Sequence, residues 1–116
     1  MSTENPDLPG ILQSTRMPQI RSLEALKGTP HAHVFPGEEP RTVRLSLGSG
    51  DEIPSHNHPG RDIVMYVVTG RIEVHLDEET HELDGGDISR FTGEQDIAIN
   101  AVEQSTVLVV LAQRST

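Results

Sequence analysis

No cysteine and no tryptophan occur in this 116-residue chain. Thiol chemistry, disulfide staples and sulfur-ligated zinc or iron are thereby excluded. The aromatic set is Phe35, Tyr66 and Phe91, too sparse for stacking on bases or sugar rings to be the main means of recognition. The longest apolar runs, near Ile63 and Val107, fall far short of the roughly 20 residues a membrane helix needs. Nothing resembles a signal peptide, so the expectation is a soluble, cytoplasmic protein with no membrane partner. Positive charge is also scarce. Lys27 is the one lysine beside eight arginines, and the net charge is −9. That balance argues against nucleic acid or an anionic membrane as partner. The arginine bias and abundant acids would suit a high-salt cytoplasm or a GC-rich genome, and equally an ordinary acidic bacterial protein.

What the chain does have is histidine, six in all, and an alternating pattern of apolar and polar residues. Met1 to Arg16 is polar and broken by Pro6, Pro9 and Gly10, which predicts a mobile arm over 1–16 and a single domain over 17–116. Ser22 to Gly28 reads as a short helical turn, with Ser22 placed to cap it and Gly28 to end it. From His31 onward the period is two. Val43, Leu45 and Leu47 alternate with polar residues, as do Ile72, Val74 and Leu76, and then Ile97 and Ile99. Ile63 to Val68 and Val107 to Leu111 are continuous apolar runs, the mark of strands buried on both faces. Turn residues fall between these segments at Pro36-Gly37, Gly48-Ser49-Gly50, Pro59-Gly60, Thr69-Gly70, Asp77-Glu78-Glu79 and Asp84-Gly85-Gly86. Short strands at this spacing predict an all-β sandwich or small barrel.

The segment from Gly50 to Gly60 carries the strongest chemical signal. His56 and His58 follow a turn that contains Pro54. Residues two apart on an extended strand share a face, so the two imidazoles can converge on one point, as metal chelation requires. Without metal, the same pair could bind an anion or act as acid and base near neutral pH. His31 and His33 repeat the spacing. They could line the mouth of a barrel, but an exposed strand edge or a dimer seam is the preferred reading. His75 shares a face with Arg71 and Glu73, either solvated or lining a polar lumen, and His81 reads as a surface residue. Asp77-Glu78-Glu79 and Glu38-Glu39 read as solvated turns, too poor in ordered oxygen ligands for calcium.

The spacing resembles the first motif of the cupin superfamily: Gly50, five residues, His56-Asn57-His58, four residues, a ligand position, six residues, Gly70. Gly85 to Asn100 is similar to the second motif. The likeness runs from about Val34 to Leu111. It implies a cupin-like jelly-roll β-barrel of two antiparallel sheets, a homodimer, and a small-molecule ligand. It also implies a divalent metal (iron, manganese, nickel or zinc) held in the barrel. Ile63 stands where the family carries its metal-binding glutamate, and the nearest acid, Asp62, is one residue early. One alignment of the second motif puts Asp96 in the place of the last histidine; another puts Ile97 there. On the first alignment His56, His58 and Asp96 form a face of two histidines and one carboxylate, suited to non-haem iron and to oxygenase or isomerase chemistry on a small oxygenated molecule. The alternative is a non-catalytic binder of small molecules in which the metal site has decayed.

Overall fold

A computed structural model describes residues 17–114. The arm expected over residues 1–16 lies outside the described residues. Nine strands follow in chain order: β1 (His31–His33), β2 (Arg41–Leu47), β3 (Glu52–His56), β4 (Arg61–Thr69), β5 (Arg71–Leu76), β6 (Glu79–Asp84), β7 (Ile88–Thr92), β8 (Ile97–Ala101) and β9 (Ser105–Gln113). They build two sheets, a five-stranded one in the order β1-β2-β9-β4-β7 and a four-stranded one in the order β3-β8-β5-β6. Every recorded pairing is antiparallel. This is the jelly-roll arrangement that the sequence predicts. No helix of the described residues is long and apolar enough to cross a membrane.

The alternating segments do what their period requires. Val43, Leu45 and Leu47 of β2 turn inward, as do Ile72 and Val74 of β5 and Ile97 and Ile99 of β8, and they meet in one core between the sheets. The continuous apolar runs behave differently from the expectation of two buried faces. Ile63, Met65 and Val67 of β4 are buried, as are Val107, Val109 and Leu111 of β9. Their alternate residues, Val64, Leu108 and Val110, are half-buried on the outer face of the five-stranded sheet, and Tyr66 is exposed there. Cross-strand register makes these outer residues neighbours: Val64 lies opposite Val110, and Tyr66 lies between Leu108 and Ile88.

The short helical turn expected over Ser22 to Gly28 is a single 3₁₀ turn at Leu23–Ala25, though Ser22 makes no side-chain cap. A tertiary contact holds this segment instead. Arg44, 6% exposed on the outer side of β2, donates from its two terminal nitrogens to Leu23 O at 2.7 Å and Gly28 O at 2.8 Å. Two backbone carbonyls thus anchor the chain across the sheet. Two strands, β3 and β6, fall where the sequence reading saw a turn or surface, and β7 falls where it named no strand. The residues of β6 (Glu-Thr-His-Glu-Leu-Asp) are exposed apart from the half-buried Leu83. A polar edge strand leaves no apolar alternation to detect.

Gly70 makes the reversal from β4 into β5. Its φ is +98°, and a Cβ there would collide with Ser105 Oγ and Gln104 O. The Ser105 hydroxyl, 1% exposed, in turn accepts from Arg71 N at 3.0 Å. Only glycine satisfies both the left-handed backbone and the close approach.

Candidate ligand-binding site

A cavity of about 210 Å³ opens between the two sheets. Its floor and walls are apolar. Val43 and Leu45 come from β2, Ile63 and Met65 from β4, Phe91 from β7, and Val109 and Leu111 from β9; Ile53, Ile97 and Ile99 close it from the smaller sheet. The polar lining consists of His31, His33, Arg41, His56 and His58. No Asp or Glu among the described residues lines it.

Each polar residue arrives by a local structural reason. His31 lies opposite Leu45 and His33 opposite Val43 in the β1–β2 register. Directly paired residues of an antiparallel ladder point to the same side. Both histidines therefore follow Leu45 and Val43 to the cavity side and line it, while lying exposed on β1, an edge strand of the sheet. The sequence does hold a signal for this: the spacing of two that places His31 and His33 on one face. Which face it is depends on pairing partners ten and fourteen residues away.

His56 reaches the cavity through a bulge. In the β3–β8 ladder Ile53 faces Ile99 and His56 faces Ile97, so three residues on β3 span two on β8. Regular alternation would have sent Ser55 inward with Ile53; the extra residue at this irregularity hands the place to His56. The ring is then fixed by a 2.8 Å hydrogen bond between His56 Nδ1 and Pro54 O. A carbonyl only accepts, so Nδ1 carries the proton, and in the neutral ring Nε2 keeps its lone pair.

His58 is not on the strand. It sits in the loop between β3 and β4, so the expectation of two histidines side by side on one strand is replaced by one on a strand end and one on a loop. Gly93 holds that loop. His58 N donates to Gly93 O at 2.7 Å, and Gly93 N donates to Arg61 O at 2.8 Å. A Cβ at residue 93 would collide with His58 O, so the clasp depends on the missing side chain. The result is a T-shaped contact between the His56 and His58 rings, with centroids 4.8 Å apart.

Burial and neighbouring charge lower two of these rings, His31 and His58. Burial, followed by the charges of His56 and His33, holds His31 below the usual histidine range. Burial also lowers His58, with His56, Arg41 and Arg61 adding to the effect. Arg61 is held by Glu39, with a 2.6 Å contact from Nη1 to Oε1. The Glu39 carboxyl is lowered chiefly by that bond, and it also feels the Arg41 charge. Among the described residues Arg41 itself forms no ion pair with a carboxylate.

The remaining sequence candidates lie elsewhere. Asp96 is exposed in the turn before β8, where its backbone exchanges two 2.9 Å hydrogen bonds with Asp77, one through Asp77 N and one through Asp77 Oδ1. It does not line the cavity; Ile97 does. Asp62 lies on the outer face of an unbroken β4–β7 ladder and pairs with Arg90 at 3.2 Å and Arg114 at 3.2 Å. No bulge brings it inward. His75 bonds Thr80 through Nδ1 at 2.9 Å and Asn100 through Nε2 at 3.3 Å, and His81 is exposed beside Glu79.

The model of the family described as Cupin domain matches residues 43–110, more than half of the chain. The chain belongs to the cupin family. Solved structures agree with that assignment. An uncharacterised conserved Klebsiella pneumoniae protein with a double-stranded β-helix domain is 25% identical, with a TM-score of 0.74 over 84% of this chain and 91% of its own. KdgF from Halomonas sp. is 28% identical, with a TM-score of 0.59 over 65% of this chain and 69% of that one. A conserved Streptococcus pyogenes protein of unknown function is also 28% identical, with a TM-score of 0.60 over 66% of each chain. This cupin thus spans about two thirds of the length of those last two proteins. No curated protein matches the chain.

The cupin motifs raise the question of a metal, and the donor set answers it. The positions matching the family's ligands are His56, His58, Ile63 and, in the alignment that the cavity favours, Ile97. Two of the four are hydrocarbon. Among the described residues no three His, Cys, Asp or Glu side chains come together in a way that could hold a metal ion. A catalytic metal centre takes three protein ligands as a rule. The residues at this cavity do not fit one.

Proposed function

We infer that this cupin is a small-molecule binder that holds its ligand in the barrel cavity without a catalytic metal. One observation carries the reading: an apolar cavity of about 210 Å³ with isoleucine at the two positions that would complete a metal centre. Buried apolar surface supplies the affinity, and the imidazole and guanidinium groups at the rim orient the ligand, which is the usual division of labour in a small-molecule site. An engineered apolar cavity of about 150 Å³ takes benzene, so this one has room for a body slightly larger. It lies below the roughly 300–1,000 Å³ of pockets for drug-sized ligands. The occupant is therefore a compact molecule.

Metal analysis of the purified protein, followed by thermal denaturation with and without a chelator, tests this reading. Far less than one metal ion per chain and an unchanged melting temperature are expected. Stoichiometric metal that survives dialysis, with a melting temperature that falls on chelation, overturns the reading and restores the metal-dependent oxygenase or isomerase.

A further inference from the structure

The lining of the cavity is selective by charge as well as by polarity. The chain has eighteen acidic residues and six histidines. Four of those histidines and Arg41 line the cavity, and none of the described acids does. In a protein of net charge −9, a pocket lined by four imidazoles, a guanidinium and no anion among the described residues stands apart from the surface around it. The two arginines near its mouth are not equivalent. Arg61 is engaged by Glu39 in a two-point contact, Nη1 to Oε1 at 2.6 Å and Nη2 to Oε2 at 3.1 Å. It spends its remaining reach on Leu111 O at 2.9 Å. Arg41 has no such carboxylate among the described residues, and its side chain lies on the cavity wall. A planar guanidinium with no carboxylate partner among the described residues, at the mouth of an apolar pocket, matches a carboxylate, which it can grip through two parallel N–H bonds.

We propose that the ligand is a compact organic monocarboxylate, its hydrocarbon body in the apolar chamber and its carboxylate at the rim on Arg41 and the neighbouring imidazoles. The proposal rests on the reading of the cavity as a binding site and adds the chemical class of what fills it. A phosphate or dicarboxylate is a poorer match, because the chamber beneath the rim offers only hydrocarbon. A cation is excluded by the same rim. Scaled from the benzene-sized cavity, the body holds about six to nine carbon atoms. Neutral His56 spends its one N–H on Pro54 O, so it reaches a carboxylate through Nε2 only when protonated, and Arg41 is the constant donor.

Calorimetric titration with three probes of one shape tests this: phenylacetate, 2-phenylethanol and 2-phenylethylammonium. Phenylacetate is expected to bind about tenfold tighter than the alcohol, as one charge-assisted bidentate contact allows, and the ammonium is expected not to bind. Arg41→Gln should remove most of that margin while leaving the alcohol's affinity within about twofold. Ile63→Trp, which fills the chamber, should abolish binding of both. Equal affinity for acid and alcohol, both lost in Ile63→Trp, overturns the carboxylate assignment and leaves the cavity reading standing. Tighter binding of the ammonium overturns the assignment outright. If no probe binds, or if Ile63→Trp binds as the wild type does, the cavity reading falls and the carboxylate with it. Arg41 is exposed, so its replacement reports on ligand binding rather than on folding.

Discussion

Ile63 is the residue at which the proposal of a metal-free cavity can be tested by adding a donor. It is 2% exposed, it lines the same cavity as His56 and His58, and it occupies the place of the cupin glutamate. Ile63→Glu removes a buried side chain worth about 1.5–3 kcal/mol. It also puts a carboxyl against hydrocarbon, and at a cavity with an open mouth that burial adds about 1 kcal/mol. The sum, about 2.5–4 kcal/mol, lowers the melting temperature by roughly 10–30 °C for a domain of this size. The same substitution supplies a third donor beside two imidazoles. A divalent ion held by all three stabilises the native state in proportion to its excess over the dissociation constant, by about 2.7 kcal/mol at a hundredfold excess. Thermal denaturation of wild type, Ile63→Glu and Ile63→Glu with His56→Ala, each titrated with Mn²⁺ or Zn²⁺, reads this directly. The single variant should be destabilised and then largely rescued by metal; wild type and the double variant should respond weakly. A wild type stabilised by metal as strongly as the variant, or a folded variant indifferent to metal, would refute the argument that isoleucine here is what denies the ion its site.

The histidines also give the fold a pH dependence with a fixed sign. His31 and His58 have folded-state pKa values below the ordinary 6.5, so the unfolded chain binds more protons. Their contribution is present above about pH 6.5 and is lost as the pH falls through the folded values. The denaturation midpoint should drop between about pH 7 and pH 5, and His58→Gln should flatten that slope; an identical slope in the variant would remove His58 from the account. At the β4–β5 reversal, Gly70→Ala combines a left-handed backbone with a collision against Ser105 and Gln104. A loss of about 2–4 kcal/mol is expected from urea denaturation. A loss near zero would mean that the turn relaxes, contrary to the close packing described.

Much of the barrel was legible in the residues. Strands β2, β4, β5, β8 and β9 each announce themselves through apolar residues at a period of two or through unbroken apolar runs, because a side chain on a strand is either in or out. Strand β6 gave no such signal, since an edge strand with both faces near water has no reason to alternate. Of the candidate site, the spacing alone marked His56 and His58 as a pair. It also marked His31 and His33, but their side of the sheet was set by pairing to Val43 and Leu45. Asp96 fits the motif spacing and still misses the cavity, because it falls in the turn before β8, and the inward position belongs to Ile97.

The amino-acid order by itself determined the parity of each strand, the positions of the turns and the pair of imidazoles, all of which follow from local geometry and solvent preference. Only the tertiary structure decided which parity became the inside. A one-residue bulge in β3 turned His56 inward in place of Ser55, and the clasp of Gly93 on the His58 loop brought the second ring beside it. Register between β1 and β2 added two more histidines, and every described carboxylate lies outside the cavity lining. A strand's period is written in its own residues; the wall it faces is supplied by another part of the chain.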